Sequence, residues 1–125
     1  MLYGGYPVVH FELPVDDPAR ATRFYQEALG WQITKWEGPM PYWTVETDAA
    51  PPNAALGGGL SLRQGPEHVT ELTVAVDDIM VAVSKVIAAG GAVEMEPTLM
   101  PGVDTLAQCL DTEGNIFGLL QPSEG

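Results

Sequence analysis

Apolar and polar residues alternate from Val8 to Val15, with Val9, Phe11 and Leu13 on one side and Val8, His10 and Glu12 on the other. This period of two belongs to a strand whose faces meet different surroundings. The period then changes. Asp17 is suited to cap a helix and Pro18 to open it, because the first helical N–H has no partner to lose. Ala21, Phe24, Tyr25, Ala28 and Leu29 form one stripe at helical spacing, and Gly30 can take the left-handed position that ends such a helix. The pattern predicts a helix on the Phe11 and Leu13 side of the strand, with His10 and Glu12 facing away. Three strands follow, Trp31 to Trp36, Tyr42 to Thr47 and Gly57 to Arg63, separated by a turn at Glu37-Gly38-Pro39-Met40-Pro41 and a loop from Asp48 to Ala55. The Gly57-Gly58-Gly59 run permits a bulge, or close approach by a ligand or another backbone.

The same order recurs. Leu72, Val74 and Val76 alternate with Glu71, Thr73 and Ala75, and Asp78 can cap a helix through Ala89 whose stripe is Ile79, Val83, Val86 and Ile87. Gly90-Gly91 ends it, and strands follow at Ala92 to Pro97, Thr105 to Asp111 and Ile116 to Gln121, with turns at Met100-Pro101-Gly102 and Asp111 to Asn115. Each copy ends its first strand in Val-Asp-Asp, at a constant offset of 61 residues that superposes His10 on Glu71 and Glu12 on Thr73. In a chain of 125 residues, two half-length copies indicate a duplicated unit. Residues 1–125 are expected to form one domain, with module one over about 6–64, module two over about 69–122, and Gln64 to His68 as the joint.

Charge narrows the partners. Seventeen acidic side chains against five basic ones give a net charge of −12, which opposes nucleic acid and anionic lipid, since both need Lys and Arg to neutralise phosphates. Solubility accounts for such acidity, and attraction of a cationic substrate is the other reading. No apolar run approaches the ~20 residues that span a bilayer, and the N-terminal residues lack a signal pattern. A cytoplasmic protein is expected. The single Cys109, among apolar neighbours, reads as a buried thiol.

The strand ending in Asp-Asp-Pro, the helix with Phe24-Tyr25 and Leu29-Gly30-Trp31, and the closing Asp111-Thr112-Glu113-Gly114-Asn115-Ile116 together resemble the vicinal oxygen chelate superfamily. That superfamily includes glyoxalase I, bleomycin-resistance proteins, fosfomycin-resistance enzymes and extradiol dioxygenases. The resemblance covers nearly the whole chain. It implies an α+β, glyoxalase-like fold in which two tandem βαβββ modules curl mixed sheets around a cavity, usually in a homodimer. It also implies that metal-using members take ligands from the first and last strands of each module. Those positions fall here on His10 and Glu71, on the Gly57-Gly58-Gly59 region, and on Gly118, where the family often has Glu. One imidazole and one carboxylate fall short of the three or four protein ligands of a tight zinc site. A metal-free pocket is therefore expected, with a weakly held divalent metal at His10 and Glu71 as the alternative.

His10 and Glu71 have two readings, a buried hydrogen-bonded pair with a structural role, or polar anchors of a ligand cavity acting as an acid/base pair. Glu12 shares a face with His10, but side chains two apart on a strand are expected to aim in parallel and to suit one shared site poorly. Glu12, Thr73, Tyr42, Trp43 and Gly118 are the further candidate ligand-binding positions. Trp31, Trp36, Tyr42 and Trp43 suit a core or dimer contact, or a planar or cationic ligand. His68 has no assigned role. The leading expectation is a protein that binds a small organic molecule in the glyoxalase/bleomycin-resistance manner. A lyase or isomerase using His10 and Glu71 is the alternative, and an interaction module whose cavity is filled by its own side chains is a third.

Overall fold

Both Val-Asp-Asp segments close a strand and cap a helix. In the computed structural model, which describes residues 4–48, 56–100 and 104–123, the elements are β1 (Val8–Val15), α1 (Pro18–Leu29), β2 (Gln32–Lys35), β3 (Tyr42–Glu46) and β4 (Gly57–Leu62). They are followed by β5 (Glu71–Ala75), α2 (Ile79–Ala88), β6 (Ala92–Leu99), β7 (Thr105–Leu110) and β8 (Ile116–Gln121). The predicted loop after Asp48 and the turn after Met100 lie outside the described residues. The chain divides into two compact units. One is His10–Thr70; the other joins the described residues before His10 to those from Glu71 onward.

The two units share one topology. In the first, β1 runs parallel to β4, and β4–β3 and β3–β2 are antiparallel, giving the order β2-β3-β4-β1. In the second, β5 runs parallel to β8, with β8–β7 and β7–β6 antiparallel. This is an α+β, glyoxalase-like fold of two βαβββ modules.

Capping chemistry sets the helix starts. Asp17 accepts from the Arg20 N–H at 3.1 Å, ahead of Pro18. Asp78 accepts from Met80 N–H at 3.1 Å and Val81 N–H at 3.2 Å, and the Gln121 side chain takes the Ile79 N–H at 2.8 Å. Helix ends need donors satisfied in this way. Gly30, at φ 70°, closes α1.

Each helix covers the apolar face of its own sheet. Val15, Ile33, Val45 and Leu60 form one core, to which Phe11, Leu13, Ala21, Tyr25, Trp31 and Trp43 add. Val76, Ile79, Ala82, Val83, Ala107, Cys109 and Leu119 form the other, with Val74, Val86, Val93 and Phe117 packed on it. The helix stripes differ from expectation. Phe24 is 58% and Leu29 53% exposed, because the Tyr25 ring stacks on Trp31 at 5.0 Å and fills the contact while Phe24 meets only the edge of Tyr25. On α2 the buried line is Ile79, Ala82, Val83 and Val86, a rotation that leaves Ile87 exposed. Leu72 is exposed too, although Val74 and Val76 pack inward.

Two strand details matter later. β4 holds unbroken register with β1 and β3, so its glycines make no bulge. β6 runs two residues beyond its predicted end at Pro97, with register shifts against β7 between Val93 and Met95 and between Met95 and Thr98. Such irregularity lets a strand contain a residue that lacks an N–H.

Candidate functional site

The polar face of the β1–β4 sheet is built by register. His10 lies opposite Gly57 and Glu12 opposite Gly59 across the parallel pair, while Thr44 lies opposite Gly59 on the other side. Gly59 thus sits between two side-chain-bearing strands, and Tyr42, two residues along β3 from Thr44, leans over it. A Cβ at Gly59 would overlap the Tyr42 hydroxyl and ring. Only glycine leaves that space. The ring is flanked by Trp36, edge-on at 5.9 Å.

Three polar groups meet there. The Tyr42 hydroxyl donates to Glu12 Oε1 at 2.5 Å, and His10 Nε2 lies 2.6 Å from the same oxygen and 2.8 Å from the Tyr42 oxygen. A carboxylate only accepts, so Nε2 carries the proton and shares it between Glu12 and Tyr42. The cluster is half-buried, His10 and Glu12 retaining 31% and 26% side-chain exposure. Burial first, and then the charge and hydrogen bond of Glu12, hold the Tyr42 phenol well above its usual pKa. Tyr42 is therefore a neutral donor at neutral pH.

Glu12 corrects an expectation. Strand geometry alone aims His10 and Glu12 in parallel, but their rotamers converge because both contact the Tyr42 hydroxyl. Trp43, one residue on, faces the opposite way, in the core on the α1 side with the Lys35 ammonium 5.9 Å from its ring centre. The aromatic candidates are thus divided between two faces of one sheet. Trp31 belongs to the core, stacked on Tyr25 and tilted against Phe11.

The second unit carries its own polar cluster. Glu71 and Thr73 are each only 8% exposed. The Gln108 amide lies 3.2 Å from both Glu71 carboxylate oxygens. Gly118 pairs with Thr73 and with Gln108, as Gly59 does with Glu12 and Thr44. A Cβ at Gly118 would lie 3.3 Å from Thr73 Oγ1 and 3.4 Å from Glu71 Oε1. Thr73 and Glu71 closely border the space beside this glycine.

This arrangement bears on the metal that the superfamily implies. Two of its four ligand positions are glycines here; the space vacated at Gly59 is filled by the Tyr42 side chain, and that at Gly118 is bordered closely by Thr73 and Glu71. His10 Nε2 presents a proton where a metal needs a lone pair. Among the described residues no three His, Cys, Asp or Glu side chains converge. The residues do not fit the family's metal.

Gln108 and the Tyr42–Gly59 pairing are the parts that sequence reasoning missed. The only prior signal was glycine at a sheet position whose neighbours are large. His68, which had no assigned role, closes the turn at the joint, its Nδ1 accepting from Gln64 N–H at 3.0 Å. Arg63 pins the same turn through the His68 carbonyl, the Pro14 carbonyl and the Asp16 carboxylate. Of two surface grooves, about 460 Å³ on α2 and about 530 Å³ between α1 and β2–β3, the second is lined in part by Trp43, and the other candidate residues line neither. Both are open helix-side features, and the chemistry lies on the other face of the first sheet.

Comparison with known proteins agrees with this fold. Residues 8–46 match the family described as bleomycin resistance protein-like N-terminal. The chain is 31% identical over 116 residues to the "Putative glyoxylase CFP32" of Mycobacterium bovis, covering 90% of this chain and 42% of that protein. It thus spans under half the length of that relative. Among solved structures, the methylmalonyl-CoA epimerase of Mycobacterium tuberculosis superposes with a TM-score of 0.73 at 14% identity, covering 99% of this chain and 94% of the other. A Streptomyces coelicolor methylmalonyl-CoA epimerase in complex with 2-nitronate-propionyl-CoA gives 0.70 at 12% identity, covering 94% and 95%. The duplicated topology, the likeness of nearly the whole chain to these folds and the matched N-terminal segment together support the vicinal oxygen chelate/glyoxalase superfamily.

Proposed function

We propose that this protein binds a small organic molecule, neutral or cationic, in a metal-free site on the polar face that carries His10, Glu12 and Tyr42. The carrying observation is the cluster itself, a carboxylate, an imidazole and a phenol converging within 2.8 Å of one another. The placement of the cations supports the ligand's charge. All five are exposed and lie elsewhere: Arg20 and Arg23 on α1, Lys85 on α2, Lys35 beside Trp43, and Arg63 on Asp16. Anions such as the 2-nitronate-propionyl-CoA held by the Streptomyces coelicolor epimerase would meet Glu12 with no compensating charge on that face. A homodimer in the cytoplasm is the assembly and setting proposed.

The test is a thermal-shift and fluorescence titration with matched neutral, cationic and anionic aromatic amines, alcohols and acids. Binding of neutral or cationic members, weakened by Glu12→Gln and His10→Ala, is expected. Binding restricted to anions would overturn the reading.

A second reading, a lyase or isomerase, is favoured by the 2.6 Å His10–Glu12 contact. That geometry suits an imidazole that takes up or releases a proton. Under it, His10→Ala abolishes turnover of a bound ligand and leaves thermal stability unchanged.

A further inference from the structure

The His10–Glu12–Tyr42 triangle bears on whether this unit can receive the metal that the superfamily implies. The atoms that would hold an ion on this unit are His10 Nε2 and Glu12 Oε1, and they lie 2.6 Å apart. Tetrahedral zinc, with bonds of roughly 2.0–2.2 Å, holds two ligating atoms roughly 3.3 Å apart. The pair would have to open, and the Tyr42 hydroxyl, 2.5 Å from one atom and 2.8 Å from the other, lies on the side where the ion would sit. That hydroxyl is itself anchored. It rests in the side-chain space vacated by Gly59, with Trp36 at its ring edge.

We infer that the Tyr42 hydroxyl, seated over Gly59, occupies the cation position between His10 and Glu12 and keeps divalent metal out of this site. The phenol supplies what an ion would supply, positive hydrogen-bonding charge on the carboxylate and a fixed imidazole. Tyr42 is a positioning residue, and Gly59 is what admits it.

The experiment is calorimetric titration of zinc(II) alone into the full chain at neutral pH, so it needs no organic ligand. Its outcome is therefore separate from that of the ligand reading, on which the inference rests only for the site's location. Tyr42→Phe keeps the ring and removes the hydroxyl; it is expected to take up one zinc with affinity at least about tenfold above the parent. Adding His10→Ala should abolish that gain. Gly59→Ala displaces the hydroxyl from the other side and should also raise zinc affinity. Equal zinc affinity in the parent and Tyr42→Phe, whether strong or absent, would overturn the inference, as would a gain that survives His10→Ala or a Gly59→Ala chain no better than the parent.

Discussion

Glycine at 58, 59 and 118 does three different jobs within two short strands. At Gly58 an added Cβ would overlap both the Phe11 ring and the Phe11 carbonyl oxygen. Backbone cannot swing aside, so Gly58→Ala should cost about 1–3 kcal/mol by overpacking, read from urea denaturation. Gly118→Ala meets only side-chain atoms at 3.3 Å and beyond, and should cost less in the same experiment. Gln108→Ala strips a donor from the buried Glu71 carboxylate and is expected to cost about 1–3 kcal/mol, again from urea midpoints. Tyr42 gives a pH signature. Its folded pKa lies above the unfolded value near 10, so the stability it contributes is complete below pH 10. As pH rises past 10, the unfolded chain releases a proton that the folded one keeps. Thermal unfolding from pH 9 to 11 should show this loss in the parent and a smaller one in Tyr42→Phe. His10 and Glu12 were legible from alternation in one strand. Their meeting with Tyr42 was not, because it depends on the register of β3 on β4 and on a rotamer that only the Gly59 space allows. Gln108 was hidden for the same reason, its partner being 37 residues away.

At the scale of elements, each unit shows how local signals and tertiary packing divide the decision. Cap residues, helix starts and strand faces followed from sequence because they depend on a few adjacent side chains. Helix rotation did not, since it depends on which ring fills the contact; Tyr25 displaces Phe24 on α1, and Ala82 enters the interface on α2 in place of Ile87. The caps themselves are unequal. Asp78 holds two amides of α2, whereas Asp17 holds one and is followed by a proline that needs none. Asp78→Ala should therefore destabilise by about 1–2 kcal/mol and Asp17→Ala by less, within the range measured for such caps. Circular dichroism melting of the two variants would rank them.

For the molecule as a whole, a net charge of −12 is a standing self-repulsion. Salt screens it over a Debye length of about 10 Å at 0.1 M, so the melting temperature should rise as sodium chloride increases from 10 to about 150 mM. Cationic ligands should weaken over the same range if the proposed site is right, and neutral ones should not. Charge also acts between molecules. β6 pairs with β7 on one side and carries Glu94, Glu96 and Pro97 along a strand broken twice in register. A straight edge rich in hydrogen-bonding groups is a template for stacking one chain on the next. Two carboxylates that repel their own copies, a residue with no amide to offer and a twisted backbone make β6 a poor template. The irregularity that looks like imperfect pairing within the sheet should thus disfavour fibril growth in concentrated protein, and a β6 smoothed by Pro97→Val with both glutamates replaced is expected to form fibrils, read by thioflavin fluorescence.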